Sequence, residues 1–280
     1  MSEHPGRVFQ EETSYQRSSM EDHELNWQSK PSLHKFYSYA PVISLPDPIP
    51  ASDEDPTPEL WTCIGRRRSV RSFGATPLSL LELSRLLWAS AGITTSHITP
   101  HGQVFYRAAP TAGALCPIET YVVANKVEGL EPGLYHYRVA GLDVLERPMV
   151  EGSHCLEQLR TGNLREEIAA AALDQPFCGK AGAVFLWTAV FARSVWKYRE
   201  RAYRYFYLDA GHMAAHLSLA AVAQGLGSCP VAAFYDDEIN SLLGIDGDSE
   251  GIVYMTAVGS PSRPFGGSRA DARHAARPKE

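Results

Sequence analysis

Apolar residues recur at helical spacing in two stretches of the chain. The first opens with Ser79-Leu80-Leu81-Glu82, where Ser at the N-cap and Glu at N3 make a capping box. Leu83, Leu86, Leu87 and Ser90 continue it, and Gly92 is placed as a C′ terminator. The second covers residues 204–226. Tyr205, Leu208, His212, Ala215, Leu219, Val222 and Leu226 fall on one stripe. The other side, with Met213, Leu217, Ala220 and Ala221, is also apolar or small. Such a helix is predicted to be buried in a core or at a subunit interface. A short helix is predicted over 58–64. Strands are predicted over 120–124, 183–191, 251–258 and 133–139. The last is expected to turn at Ala140-Gly141 and pair with 142–146. Because these strands do not alternate strictly, the sheet is expected to be covered on both faces. The order of elements is α+β rather than a regular βαβ array.

Residues 1–56 read differently. Pro41, Pro46, Pro48 and Pro50 disfavour regular structure, yet Leu25, Trp27, Leu33, Phe36, Tyr37 and Tyr39 are too apolar for a free linker. An extended arm lying on the main body or on a partner subunit is expected. Residues 57–265 form the main domain, and 266–280 a tail expected to be disordered.

Composition narrows the function classes. A net charge of −6 over 280 residues argues against a general nucleic-acid binder, though not against a local basic pocket. Five cysteines, an odd number with no C-x-x-C spacing, argue against a disulfide framework or a zinc site and fit a reducing cytoplasm. His212 and His216 are four apart on one helix but lack the companions of a metal motif, so hydrogen-bonded histidines are expected there. No signal peptide is evident, and residues 213–227 are too short and too polar to span a bilayer.

Four segments could carry chemistry. Arg67, Arg68, Ser69 and Arg71 supply three guanidiniums and a hydroxyl that can wrap a phosphate; a solvated basic turn is the alternative. Residues 107–114, with small residues after Pro110, can approach a planar ligand, or form a plain loop. Gly225, Leu226 and Gly227 can present backbone N–H groups to a ring, or simply end the long helix. In 196–201, a desolvated Lys197 could act as a base beside the Tyr198 phenol; the alternative is a charged helix start. No G-x-G-x-x-G follows a strand and no Walker loop is present.

In order, these segments read R-R-S-V-R, R-A-A-P-T-A-G-A-L-C-P-I-E-T-Y-V-V, G-L-Y-H-Y, K-Y-R-E-R-A-Y-R-Y, D-A-G-H-M-A-A-H-L-S-L-A-A-V-A-Q-G-L-G-S and a terminal V-G-S-P. Over residues 58–261 this resembles the SagB-type dehydrogenase branch (azoline oxidases) of the FMN-dependent nitroreductases. The N-terminal L-N-W-Q-S-K-P-S-L-H-K-F-Y resembles the lead-in of that branch. The resemblance implies a nitroreductase-like α+β fold, with a mainly antiparallel sheet flanked by helices, in an intertwined homodimer with FMN at the interface. Arg67, Ser69 and Arg71 match the motif at the ribityl phosphate and flavin pyrimidine edge, and Arg68 is a further phosphate partner. Pro110, Thr111 and Ala112 match the loop that reaches the flavin from the other subunit. Gly225, Leu226 and Gly227 match the segment near flavin N5, and Arg263 is the candidate that completes the phosphate site. Lys197 and Tyr198 match the pair assigned to proton abstraction when a thiazoline or oxazoline is oxidised to the aromatic azole, the hydride passing to the flavin and oxygen reoxidising it.

The chain departs from the branch pattern at Thr111 for Ser, Cys116 for Tyr, and Ala215-His216-Leu217 for Gln-Asn-Leu. Residues 1–56 are too short and Pro-rich for a leader-binding module, so a peptide or carrier-bound substrate would be presented by a partner protein. Two alternatives stand beside this reading: an NAD(P)H-dependent nitro or quinone reductase, and a non-catalytic flavin-binding subunit of a modifying complex.

Overall fold

A computed structural model describes residues 4–17, 24–49, 58–139 and 154–263. Its centre is a seven-stranded sheet in the order β1-β6-β5-β4-β7-β9-β8, and every neighbouring pair is antiparallel. The strands are β1 (Val42–Ser44), β4 (Ile118–Ala124), β5 (Gly133–Arg138), β6 (Cys155–Thr161), β7 (Ala183–Val190), β8 (Gly227–Val231) and β9 (Glu250–Gly259). A separate hairpin pairs β2 (Ile93–Thr99) with β3 (Gly102–Arg107).

Both faces of the sheet are covered, which is why its central strands carry apolar residues pointing to both sides. Val122, Ala183, Phe185 and Trp187 face one core, against α3 (Leu80–Ala91) and α7 (Ala202–Ala223). The intervening Tyr121, Val123, Val184 and Leu186 face the other. That second core is closed by α4 (Arg165–Ala171), α5 (Pro176–Lys180) and α8 (Asp236–Leu243). The remaining helices are α1 (Pro5–Glu12), α2 (Leu60–Arg66) and α6 (Phe191–Tyr198).

Helix α3 begins at the expected capping box: the Ser79 hydroxyl accepts from Glu82 N–H, and the Glu82 carboxylate accepts from Ser79 N–H. Gly92 ends the helix, but in an extended conformation (φ −62°, ψ 150°) and not as a left-handed C′. It is needed for space, since a Cβ there would lie 2.3 Å from Trp88 Cδ1.

The long helix packs only one of its apolar sides within the chain. Its buried side is Phe206, Asp209, Ala210, Met213, Leu217 and Ala221, whereas the Leu208, His212 and Ala215 stripe is exposed. Both sides are apolar or small, so periodicity alone could not choose between them. The strand at 133–139 pairs with β4 and β6; the predicted partner 142–146 and its turn lie outside the described residues, as does the tail 266–280.

The N-terminal segment is tied to the body by buried polar contacts. Lys35 pairs with Glu250 and donates to Tyr121 Oη at 2.8 Å. Arg193 donates to Ser32 O (2.8 Å) and Cys116 O (3.1 Å) while pairing with Glu119. His136 lies between Glu119 and Glu157, and Tyr37 N–H donates to Glu157. Trp27 stacks on His101 in the β2–β3 turn, ring centroids 3.8 Å apart.

Candidate functional site

The four candidate segments come together in two pairs. The basic turn after α2 runs beside the start of β8: Ser69 bridges Ser228 in parallel fashion, and Val70 N–H donates to Ser228 O at 2.9 Å. Gly227 is required by that approach, because a Cβ there would lie 2.8 Å from Val70 Cβ. The residues after β9 then run antiparallel to the turn. Phe73 pairs with Pro261, and Ser262 N–H donates to Ser72 O at 2.9 Å. Continuing that register by two residues sets Arg263 opposite Arg71.

Among the described residues, Arg67, Arg71 and Arg263 form no ion pair with a carboxylate. Arg71 rests over the Phe177 ring at 6.0 Å. Arg68 is otherwise engaged: its guanidinium donates to Gly65 O (3.1 Å) and Arg67 O (2.7 Å), capping α2. The next segment also has structural work. Gly225, with φ +73°, ends α7 in a Schellman motif in which Leu226 N–H donates to Ala221 O and Gly225 N–H to Val222 O. Those two N–H groups are therefore not available to a ring nitrogen.

The second pair forms at the other end of α7. Thr111 Oγ1–H donates to Asp209 Oδ2 at 2.7 Å, and Ala112 N–H donates to the same carboxylate. The next residue, Gly113, has φ +61° and backs onto Lys197 and Tyr198 in the last turn of α6. A Cβ at 113 would lie 2.3 Å from Tyr198 Oη and 3.2 Å from Lys197 Nζ. Lys197 Nζ is 5.3 Å from the Tyr198 ring centroid. Burial and the neighbouring Tyr205, Asp209 and Tyr15 raise the Tyr198 pKa, so its phenol keeps its proton at neutral pH. An open cleft of about 670 Å³ runs along the loop, lined by Tyr106, Arg107, Pro110, Thr111, Gly113 and Ala114. Its size is that of a small-molecule site.

Residues 64–260 match the model of the nitroreductase family. The chain belongs to the nitroreductase family. Members of this family are flavin-type oxidoreductases that typically bind FMN. A Methanocaldococcus jannaschii protein named as a nitroreductase is 36% identical over 180 residues, 64% of this chain and 81% of that one. The trifolitoxin-processing protein TfxB of Rhizobium leguminosarum bv. trifolii is 30% identical over 231 residues, 80% of this chain. A crystal structure of an Anabaena variabilis protein described as a nitroreductase superposes with TM-score 0.70 at 28% identity over 90% of this chain. The chain spans 58% of TfxB and 45% of the Anabaena chain. A chain of the E. coli microcin synthetase McbBCD complex, solved with truncated pro-MccB17 bound, shares the fold with TM-score 0.56 at 20% identity, over 82% of this chain and 79% of that one.

The nitroreductase-family chain holds no metal cluster among its described residues; His212 instead hydrogen-bonds Pro110 O at 3.2 Å. No helix among them is long and apolar enough to cross a membrane. Asp209 was not among the candidate site residues. Its signal was a lone carboxylate on the helix side that otherwise carries Phe206, Ala210 and Met213.

Proposed function

We propose that this nitroreductase-family protein binds FMN between two copies of the chain and dehydrogenates an azoline ring in a peptide or related natural product. The observation that carries the chemistry is the convergence of Lys197 Nζ and Tyr198 Oη on Gly113, directly beyond the 110–112 loop. The cofactor fits the donor set: Arg67, Ser69, Arg71 and Arg263 can surround a phosphate dianion with charge-assisted hydrogen bonds.

Two copies are inferred from distance. In one chain the 110–112 loop meets α7 at Asp209, while the basic turn lies beyond its end at Ala223. Fourteen residues at 1.5 Å each put roughly 21 Å along the helix between these points. A two-fold related copy can bring the turn of one chain to the loop of the other. The exposed apolar residues Trp61, Ile64, Tyr207 and Leu208 on α2 and α7 are suited to that contact.

FMN, when bound, supplies the oxidant that takes hydride from the substrate carbon. The protein's part is to orient the ring and to move one proton. The uncharged amine form of Lys197 accepts the proton from the carbon next to the one losing hydride and becomes the ammonium. Tyr198, whose pKa is raised by partial burial and by the neighbouring Tyr205 and Asp209, stays protonated, donates a hydrogen bond and holds the substrate heteroatom. The TfxB and McbBCD likenesses support a peptide substrate and a partner protein that presents it.

The test is anaerobic. Purified protein loaded with FMN is mixed with a thiazoline-bearing peptide, and flavin absorbance and peptide mass are followed. Bleaching with loss of two hydrogens from the peptide is expected. The relative named as a nitroreductase supports a second reading, reduction of a nitro or quinone substrate with NAD(P)H. Rapid bleaching by NADPH, with the peptide inert, would establish that reading and reject the first.

A further inference from the structure

The proposed site leaves unexplained what holds the 110–112 loop in place. Three successive residues of it are fixed by one helix. Asp209 accepts from the Thr111 hydroxyl at 2.7 Å and from Ala112 N–H at 3.2 and 3.3 Å. His212, one turn further along α7, has Nδ1 3.2 Å from Pro110 O. A carbonyl only accepts, so His212 Nδ1 carries the hydrogen. Residues three apart on a helix are neighbours, so Asp209 from the buried side and His212 from the adjoining exposed edge reach neighbouring backbone groups of one loop.

Asp209 is unusual for its setting. It is 3% exposed and, among the described residues, pairs with no Lys or Arg. It lines a cavity of about 20 Å³ together with Arg107, whose Nε is buried without a hydrogen-bond partner among the described residues. Burying a carboxylate is costly unless donors surround it. Here the donors are the loop itself, so the charge and the loop conformation stabilise one another.

We infer that Asp209 and His212 are positioning residues: a two-point clamp from α7 that fixes the 110–112 loop for flavin binding and holds Gly113 against Lys197 and Tyr198. The inference rests on the proposal that this loop contacts FMN. It assigns no proton transfer to either side chain. Thr111 Oγ1, at the centre of the clamp, gives the loop its grip on Asp209, and Val in its place keeps the shape and removes the donor.

The experiment titrates apoprotein with FMN by fluorescence quenching for the natural chain, Thr111→Val, Asp209→Asn, their double variant and His212→Ala, with a melting curve of each apoprotein. Thr111→Val and Asp209→Asn should each raise the FMN Kd about tenfold, the low end for a hydrogen bond to a charged group. The double variant should be no weaker than about tenfold, since both changes break one interaction. His212→Ala, on the exposed side of α7, should raise Kd about threefold with an unchanged melting curve, and it keeps the test decisive if the Asp209 variant does not fold. Unchanged Kd in Thr111→Val and His212→Ala would overturn the clamp, as would multiplicative weakening in the double variant. If the natural chain itself binds no FMN, the functional proposal falls, and the clamp with it; variants that bind like a competent natural chain reject the clamp alone.

Discussion

Replacing Gly113 by Ala probes the joint between the loop and the Lys-Tyr pair. Two costs can be read from the geometry. Gly113 has φ +61°, where an L-residue with a Cβ is strained by roughly 1–2 kcal/mol. The new Cβ would also lie 2.3 Å from Tyr198 Oη, against an ordinary contact of 3.4 Å, so the phenol must withdraw by 1.1 Å. A displacement of about 1 Å of a reacting or orienting group can cost on the order of 100-fold in rate. The strain alone should lower the melting temperature by about 2–8 °C in a domain of this size. The assay combines thermal melting, FMN titration and single-turnover oxidation of a thiazoline peptide. The expected pattern is a folded protein with FMN affinity near that of the natural chain and turnover down about 100-fold. Full turnover in a variant whose melting temperature has dropped as expected would refute the reasoning, for the phenol would then have moved without consequence.

Four further outcomes follow from the same structure. Lys197→Ala should abolish azoline oxidation and leave FMN bound; retained turnover removes Lys197 from the mechanism. Arg71→Gln should weaken FMN by at least about tenfold, as expected for a lost charge-assisted hydrogen bond, and leave riboflavin affinity alone; equal losses for both would separate Arg71 from the phosphate. Lys35→Met should destabilise the fold by about 2 kcal/mol. That is below the ~3–5 kcal/mol for a wholly buried pair, because the Tyr121 and Thr188 hydroxyls still donate to Glu250; thermal or urea melting checks it. Burial and the nearby Arg107 push His34 down to about 4 from 6.5, so its contribution is full above 6.5 and is lost as pH falls toward 4. Burial alone would raise Glu119, but Arg193 and His136 outweigh it and hold the carboxyl at about 2, so its contribution starts to fade only below about 4.5. His34 should therefore contribute a decline in melting temperature between pH 6.5 and 4, and His34→Gln should make the slope in that range shallower than in the natural chain.

Four of the seven strands, β4, β5, β7 and β9, were legible because they are apolar, β-branched or aromatic runs, and α3 because a capping box marks its first turn; β1, β6 and β8 were not, since β1 follows Pro41 in a proline-rich segment, β6 carries Glu157, Gln158 and Arg160, and β8 begins at the glycines that end α7. The hairpin of β2 and β3 was not. Its Thr94, Thr95, Ser96 and His97 carry no apolar alternation, and its anchors, Trp27 and Val139, are remote in sequence. The inner face of α7 could not be chosen from the sequence, since Leu208, Ala215 and Leu219 are as apolar as the residues that pack. The site segments were visible as residue types in order, whereas their pairing across α7 was not. Nothing local in Thr111 points to Asp209, 98 positions later. The charged cluster of Glu119, His136, Glu157 and Arg193 was equally hidden, because a charged residue inside a strand reads as facing water until its partners are known.

The central claim is that each FMN is held by the basic turn of one chain and the 110–112 loop of another, and subunit mixing tests it most directly. Arg71→Glu and Pro110→Asp should each yield protein that binds no FMN. Unfolded together and refolded in equal amounts, half the dimers pair one of each, and each such dimer carries one undamaged site of two. About a quarter of the natural FMN content should return. No recovery, from chains shown to re-form dimers, would contradict the account, because a site built within one chain cannot be repaired by its neighbour.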